Sequence, residues 1–383
     1  MICMPGFIDT HWHLWTSVCR ALIQLDDPRR GYFPVTNALG QHYTPEDSYR
    51  SVRLGLSEAL SAGATTVQNW AHNIRSPAHA DAELRAMRDM GVRGRLAYGT
   101  PQGMADDEPM DLKGLERIQR QWMPNDGMLT LGICSRNVGD TTNPLRGNIS
   151  AEIARIDWGG ARALGLPITM HTSGPSPVKL LERAKLLGPD VQLVHPLLTT
   201  AEERRIMHER GVSYSTSPTG ESRRPASAGV IQFGEMLQAG VKMSLSMDNT
   251  SSYAADYFQC MRILYNLHQH RIGSRILLTG RRLVQLATLD GAADLGLADR
   301  TGSLTPGKRA DLILIRTGDI NIAPMSDPYT ALVSFAQPRN IDTVVADGRI
   351  LRLGGAFTAL DYASVLNDAA ECVAGLSTRA KWT

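Results

Sequence analysis

The chain has few cysteines, and their arrangement excludes several kinds of site. Five of the 383 residues are cysteine, and no two of them form a CxxC pair. Scattered cysteines of this kind argue against a disulfide framework and against a thiolate metal site. They indicate a reducing compartment, so the cytoplasm is the expected location.

The chain also lacks an excess of charge of either sign and a long apolar run. Forty Lys and Arg oppose 38 Asp and Glu, which leaves no basic field that would attract nucleic acid. No apolar run approaches the roughly 20 residues that a bilayer span needs, and we find no charged and then apolar leader. We therefore expect a small-molecule substrate and neither a nucleic acid nor a membrane as partner.

What the sequence does contain is an alternation of apolar, strand-like runs with amphipathic stretches. With 43% hydrophobic and 20% charged residues, a chain of this length can bury a sizeable core. Helix-start signals such as Thr44 and Thr200 precede the amphipathic stretches. Eight runs predict strands: Gly6–His11, Thr65–Asn69, Arg93–Tyr98, Leu129–Ile133, Pro167–His171, Val191–His195, Val212–Thr216 and Lys242–Ser246.

Eight strand–helix units predict a parallel sheet covered by helices, and at this length closure into a (β/α)8 TIM barrel is the economical topology. A doubly wound open sheet is the alternative. The polar residues favour the barrel, because His11, His13, His171 and His195 lie at or just beyond strand carboxyl ends and Asp248 follows the eighth strand. Barrel enzymes build their active sites on that rim.

The C-terminal part of the chain has a different pattern. Turn residues followed by alternating apolar residues near Ala310–Ile315 and Asp342–Ile350 predict strands of a small antiparallel layer. We therefore predict the (β/α)8 barrel with its terminal helices over residues 1–301. Residues 302–383 would form a small, incomplete β-sandwich segment and a C-terminal tail.

Three imidazoles and one carboxylate predict a metal site on the rim. His11 and His13 are two residues apart in a strand, so their rings can leave the backbone on the same side and converge. Together with His171 and Asp248 they form a set of three nitrogen donors and one oxygen donor that suits one divalent ion and leaves a position for water. Zn2+ is the favoured ion, with Fe2+, Mn2+ and Co2+ as alternatives.

Two rim residues are candidates for catalysis. A divalent ion lowers the pKa of a bound water to about 7, so hydroxide becomes available near neutral pH. Asp248 can take the second proton of that water. His195 is placed to bond the attacking water or the developing oxyanion.

Five segments together resemble the amidohydrolase superfamily, in the branch that contains the atrazine and triazine chlorohydrolases and the cytosine-type deaminases. They are PGFIDTHWH, ITMHTSG, VQLVHP, LSMDNTSS and GSLTPGKRADLILI. The resemblance implies metal ligation by His11, His13, His171 and Asp248. It also implies that Asp248 is the general base and that His195 contacts water or substrate.

The end of the fourth strand indicates how many metal ions the site holds. Family members with two ions often carry a carbamylated Lys there. This chain has Cys134, Ser135 and Arg136 instead, with no Lys nearby. The resemblance therefore implies a mononuclear site.

The motif on the fifth strand bears on the type of reaction. In the deaminases an HxxE motif supplies a Glu that protonates a ring nitrogen, whereas here His171 is followed by Thr172, Ser173 and Gly174. Aromatic deamination would need another acid; Glu221 is a candidate, although a solvated loop residue is the favoured interpretation of it. Hydrolysis of an amide, carbamate, urea or cyclic amide needs no such acid.

The start of the chain is the second departure from the family pattern. Family members normally carry several strands before the PGFIDTHxH segment, and these strands pair with the C-terminal ones. Here the motif begins at Pro5. Either the start is assigned late or the sandwich is incomplete. If the chain is whole, we expect the C-terminal strands to lack partners and to expose edges, which would lead to a homodimer that covers them or to poor folding.

Four further residues are weaker candidates for contact with substrate. Trp15 could line a pocket, and His72 could face its mouth, although a structural hydrogen bond is the favoured role of His72. Arg136 could bind a carboxylate or carbonyl of the substrate or pair with a neighbouring acid. Glu221 is the fourth.

Three hypotheses for function follow. The leading one is a mononuclear metal-dependent hydrolase that cleaves the C–N bond of an amide, carbamate, urea or cyclic amide. The second is a deaminase or hydrolytic dechlorinase of a heteroaromatic ring. The third is a truncated, non-catalytic remnant or a binding protein.

Overall fold

The computed structural model describes residues 1–125, 127–139, 148–172, 175–272 and 278–382. The strands are β1 (Ile2–Pro5), β2 (Phe7–Trp12), β3 (Ala64–Ala71), β4 (Arg93–Gly99), β5 (Leu129–Ser135), β6 (Ile168–His171), β7 (Val191–Val194), β8 (Ser213–Thr216), β9 (Lys242–Leu245), β10 (Leu312–Ile315), β11 (Ile341–Ala346), β12 (Arg349–Leu353) and β13 (Ala356–Phe357). The helices are α1 (Tyr32–Gly40), α2 (Pro45–Ser61), α3 (Pro77–Met90), α4 (Leu112–Trp122), α5 (Ala151–Ala163), α6 (Val178–Arg183), α7 (Ala201–Glu209), α8 (Pro218–Glu221), α9 (Phe233–Gln238), α10 (Tyr257–Ile272), α11 (Gly280–Leu286), α12 (Leu289–Asp294), α13 (Pro328–Thr330) and α14 (Tyr362–Ala380). Shorter helical turns lie at Leu14–Ala21, Pro28–Arg30, Ala226–Ala228, Ala331–Phe335 and Pro338–Asn340.

Strands β2 to β9 form one parallel sheet in chain order, with helices between them. The sheet closes where the loop after β9 meets β2. There the backbone N–H of Asp248 donates to the carbonyl of His11 at 2.9 Å, and that of His13 donates to the carbonyl of Asp248 at 2.6 Å. The predicted (β/α)8 barrel is confirmed, and three predicted metal ligands form its closing seam.

The helices cover the barrel because each turns apolar side chains toward the strands. In α2, Val52, Leu56 and Leu60 recur every four residues, as one helix face requires, and all three are buried. The helix begins at a capping box in which Thr44 accepts from the N–H of Asp47 and the Asp47 carboxylate accepts from the N–H of Thr44. Among the described residues, no helix combines the length and apolar character that a bilayer span needs.

The second sheet is antiparallel, in the order β1-β10-β11-β12-β13. β1 pairs with β10 along its whole length, from Ile2 opposite Ile315 to Pro5 opposite Leu312. The prediction that the C-terminal strands lack partners is therefore wrong. The four residues of β1, which end at the first residue of the PGFIDTHWH segment, pair with β10, so β10 and β11 each have a neighbour on both sides.

Ion pairs join the C-terminal segment to the barrel. The buried guanidinium of Arg93 on β4 donates to Asp311 at 2.8 Å and to Asp347 at 2.9 Å, so a strand of the barrel is tied to the turns of the small sheet. The predicted tail contains α14, which packs on α2, and Arg53 of α2 pairs with Asp368 of α14 at 2.5 Å. The division at residue 301 stays a prediction.

Candidate metal centre

Four predicted site residues meet at the carboxyl ends of β2, β6 and β9. Ligand atoms of His11, His13, His171 and Asp248 all lie within 4.8 Å of one another. Oδ1 of Asp248 is 3.3 Å from Nε2 of His11 and 3.3 Å from Nε2 of His13. Nε2 of His11 is 3.2 Å from Nε2 of His171. The structure therefore brings the four predicted ligands together from three distant segments.

The burial of these side chains sets their charge. Burial lowers the pKa of His11 and of His13 from 6.5 to about 4, and burial lowers the pKa of His171 well below 6.5 as well. Burial acts to raise the pKa of Asp248, but interactions with the rings of His11, His13 and His195 outweigh it and hold that pKa well below 3.8. At neutral pH the site offers three neutral imidazoles and one carboxylate, which is a donor set that fits one divalent metal ion.

The backbone at two site residues is strained. His195 has φ of +59° and Asp248 has φ of +65°, in the left-handed region that side-chain-bearing residues seldom adopt. His195 directly follows β7, Asp248 lies three residues beyond the end of β9, and both line the cavity on the rim. Strain of this kind persists where surrounding contacts stabilise it. At Asp248 the backbone hydrogen bonds to His11 and His13 provide this stabilisation.

Asp9 is a buried residue of the site that sequence reasoning missed. Its carboxyl group accepts from the backbone N–H of His11 at 3.0 Å, from that of Met247 at 2.8 Å, and from the hydroxyl of Tyr257 at 2.8 Å. It therefore joins β2, the loop after β9 and α10. The available signal was its position two residues before His11, although nothing local identifies its partners.

Glu221 fixes the ring of His195 through a hydrogen bond to Nδ1, the ring nitrogen that faces away from Asp248. Nδ1 of His195 donates to Oε1 of Glu221 at 2.7 Å, and Glu221 also accepts from the hydroxyl of Thr216 at 2.6 Å and from the N–H of Ser217 at 2.9 Å. Glu221 is 3% exposed, so its interpretation as a solvated loop residue is wrong. Burial acts to lower the pKa of His195, but the neighbouring carboxylates of Asp248 and Glu221 outweigh it and raise that pKa.

A cavity of about 1030 Å³ opens above the cluster. His13, His171, His195 and Asp248 lie at its base, and the ring centre of Trp70 is 4.2 Å from that of His171. Further aromatic side chains of the wall, which sequence reasoning missed, are Tyr32, Phe33 and Tyr253. They come from segments with no shared sequence pattern. The volume suits a small molecule rather than a polymer.

The weaker candidates occupy different positions around this cavity. His72 and Arg136 line it. Arg136 also donates to the carbonyl of Ala105 at 2.7 Å and pairs with Asp157 at 3.6 Å, so the alternative of a neighbouring acid is confirmed. Trp15 is 0% exposed and lies behind His72, to which its indole N–H donates at 3.1 Å.

One sequence prediction falls on residues without a described structure. Ser173 and Gly174, which stand where the deaminases carry the end of their HxxE motif, lie outside the described residues. The observed β6 ends at His171, and the N–H of Thr172 donates to the carbonyl of Val194 at 2.8 Å.

Fold and site together define the class of this protein: a (β/α)8 barrel hydrolase whose rim carries a centre suited to a divalent metal ion. Residues 2–351 match the amidohydrolase family, and the chain belongs to that family. This confirms the predicted superfamily and the predicted class of enzyme, a hydrolase that acts on carbon–nitrogen bonds.

Curated relatives resemble the chain over nearly its full length. A 5-methylthioadenosine/S-adenosylhomocysteine deaminase of Syntrophomonas wolfei is 26% identical, covering 97% of this chain and 86% of that protein. A 5'-deoxyadenosine deaminase of Methanosarcina barkeri is 27% identical, covering 99% of this chain and 87% of that protein.

Solved structures share the fold. An adenosine deaminase of Xanthomonas campestris with bound zinc superposes with a TM-score of 0.85 at 20% identity, covering 98% of this chain and 86% of that one. An atrazine chlorohydrolase of Arthrobacter aurescens complexed with zinc superposes with a TM-score of 0.81 at 21% identity, covering 97% and 88%.

Proposed function

We propose that this chain hydrolyses a carbon–nitrogen bond of a small molecule with one Zn2+ ion held by His11, His13, His171 and Asp248. The observation that carries the proposal is the convergence of four ligand atoms within 4.8 Å at the base of the cavity. Three nitrogen donors and one oxygen donor leave a coordination position for water. The zinc of the two solved relatives supports this choice of ion.

The chemistry divides between the ion and two side chains. A bound divalent ion supplies Lewis acidity, which brings the pKa of water to about 7. Asp248 is anionic and lines the cavity, and its Oδ2 lies 3.8 Å from Nε2 of His195. We assign it the role of base, which takes a proton from the attacking water and hands it to the leaving nitrogen.

His195 is proposed to stabilise charge on the substrate. Because Nδ1 of its ring donates to Glu221, its Nε2 faces Asp248 and the cavity. That Nε2 is buried and has no hydrogen-bond partner among the described residues. In the protonated ring, which the raised pKa of His195 favours, Nε2 can donate to the carbonyl oxygen that becomes an oxyanion. In the neutral ring, Nε2 can accept a hydrogen bond from the attacking water.

Carbonyl compounds are the proposed substrate class: amides, carbamates, ureas or cyclic amides. Their hydrolysis needs a base, an electrophile and a proton for the leaving nitrogen, all of which the proposed roles supply. Ring deamination needs an added acid. Both oxygens of Glu221 already accept hydrogen bonds from His195, Thr216 and Ser217, which argues against Glu221 as that acid.

Deamination or hydrolytic dechlorination of a heteroaromatic ring is the second candidate. Two observations support this candidate: the two curated relatives are deaminases, and the cavity wall carries aromatic side chains such as Trp70 and Tyr253. A planar ring can stack on such side chains. This candidate still requires a proton donor other than Glu221.

A substrate screen separates the two candidates. Purified, metal-assayed protein is incubated with carbamates, ureas, cyclic amides, aminated purines and pyrimidines, and chlorinated triazines, and products are identified by mass. Hydrolysis of carbonyl compounds is expected, with loss of activity on chelation and in His171→Ala. Full activity of metal-free protein would refute the proposal. Soluble protein without metal affinity or activity would support the remnant or binding-protein hypothesis.

The cellular location and the oligomeric state of the enzyme are also proposed. We propose a cytoplasmic enzyme that acts on a small molecule, and the five free cysteines support a reducing compartment. A homodimer stays a prediction, which light scattering of the purified protein checks.

A further inference from the structure

His72 lies between two side chains that meet the same atom of its ring. It follows β3, and its Nδ1 is 3.1 Å from Nε1 of Trp15 and 3.2 Å from Nδ1 of His13. The ring centres of His72 and His13 are 4.5 Å apart. His72 therefore links the fully buried Trp15 to a residue of the proposed metal centre.

The indole of Trp15 settles which atom carries the hydrogen in the first contact. An indole N–H can only donate, so Nδ1 of His72 is an acceptor and the ring hydrogen of His72 is on Nε2. In the second contact, Nδ1 of His72 has no hydrogen to give. A hydrogen bond in this contact therefore needs the hydrogen on Nδ1 of His13, which leaves the lone pair of His13 on Nε2.

Nε2 of His13 is the atom that faces the cluster, 3.3 Å from Oδ1 of Asp248. A metal ion binds imidazole through a lone pair, and the bond made by the other ring nitrogen sets which nitrogen is free. We infer that His72, aligned by Trp15, is a positioning residue that holds His13 in the tautomer and ring orientation needed to ligate the metal ion. This inference rests on the proposed metal centre.

One neighbouring acceptor defines the competing arrangement. The carbonyl oxygen of Trp70 lies 3.3 Å from Nδ1 of His72 and would attract a hydrogen placed on that atom. In that arrangement two N–H groups, those of Trp15 and His72, would point at each other. The indole N–H, in a side chain that is 0% exposed, would be left without its partner, which is an unfavourable state for a buried donor.

Two substitutions of His72 separate its two ring nitrogens. Asn places an amide oxygen near the position of Nδ1, whereas the longer Gln carries its amide near the position of Nε2. Zinc affinity of the apoprotein is measured by competition with a chromogenic chelator. We expect His72→Gln to weaken zinc binding by about 10- to 100-fold, the usual effect of losing a partner of a metal ligand.

The matched variants complete the affinity test. His72→Asn should bind zinc nearly as tightly as the wild type, and Trp15→Phe should weaken binding less than His72→Gln. Circular dichroism melts check that each variant is folded. Equal zinc affinity of His72→Asn and His72→Gln would overturn the inference. A wild-type chain without zinc affinity would overturn the proposed metal centre and this inference with it.

A second measurement uses the wild-type protein loaded with Zn2+ and so needs no substituted variant for its outcome. Nitrogen-15 labelling of the histidines reports by NMR which ring nitrogen carries hydrogen. We expect the hydrogen on Nε2 of His72 and on Nδ1 of His13. A hydrogen on Nδ1 of His72 would place the bond on the Trp70 carbonyl and overturn the inference even if zinc binds tightly.

Discussion

His195 and Glu221 form a buried pair from positions 26 residues apart in sequence. Glu221→Gln replaces a charged acceptor with a neutral one while leaving its shape, so His195 should lose alignment and basicity. We expect kcat to fall by about 10- to 100-fold for every substrate, with KM and zinc content close to wild type. Steady-state kinetics and metal analysis measure this, with the exposed Glu202→Gln as control. A loss confined to heteroaromatic amines would instead assign Glu221 as the ring acid.

Glu83 on α3 gives a residue-scale prediction about pH. Its Oε2 accepts from Nδ2 of Asn69 at 2.7 Å, and burial raises its pKa from 4.5 to about 8. Between these values the folded chain keeps a proton that the unfolded chain releases, so the free energy of unfolding falls as pH rises through this window.

Glu83→Gln should remove that pH dependence. At pH 7 its free energy of unfolding should exceed that of the wild type by about 3 kcal/mol, and the difference should vanish toward pH 4.5. Urea titrations at several pH values measure both quantities. The exposed Glu116→Gln is the control and should leave the pH profile of the wild type unchanged. A constant difference across this range would contradict the assignment.

At the scale of elements, Asp9 joins β2 to the segment after β9 and to α10. In Asp9→Asn an amide NH2 replaces one acceptor oxygen and must face a backbone donor, either the N–H of His11 at the Oδ1 position or the N–H of Met247 at the Oδ2 position. We expect the free energy of unfolding to fall by about 1–3 kcal/mol. Zinc affinity should also fall, because the same carboxyl group holds the backbone of His11.

Two further substitutions serve as controls for Asp9→Asn. Tyr257→Phe removes one of the three donors to Asp9 and should lower the free energy of unfolding less than Asp9→Asn does. Asp26→Asn, at an exposed position, should change neither melting temperature nor zinc affinity. If Asp9→Asn behaved like Asp26→Asn, Asp9 would have no part in joining these elements.

At the scale of the whole molecule, metal removal should change both activity and stability. A ligand that binds only the folded chain stabilises it by about 2.7 kcal/mol when its free concentration is 100 times its Kd. We expect chelation to abolish hydrolysis and lower the melting temperature, and added Zn2+ to restore both. His171→Ala should show a much smaller zinc-dependent shift in calorimetry, whereas the exposed His270→Ala should respond like the wild type.

The barrel could be predicted from the sequence because each of its elements has a local signal. Strand-like runs alternate with capped amphipathic stretches, and the histidines stand where the strands end. The pairing of β1 with β10 could not be predicted in this way, since Ile2–Pro5 is short and its partner lies more than 300 residues away. Helix α14 was missed for a related reason: its packing on α2 is decided by the tertiary structure.

The sequence by itself determined the barrel and the identity of the four converging donors, because strand periodicity and strand ends are local properties. Only the tertiary structure decided which groups support the site residues: Glu221 bonds His195, His72 with Trp15 lies against His13, and Asp9 bonds the backbone N–H of His11. Hydrogen bonds form over about 3 Å, so a partner is defined by the meeting of segments in space, and sequence spacing carries no record of that meeting.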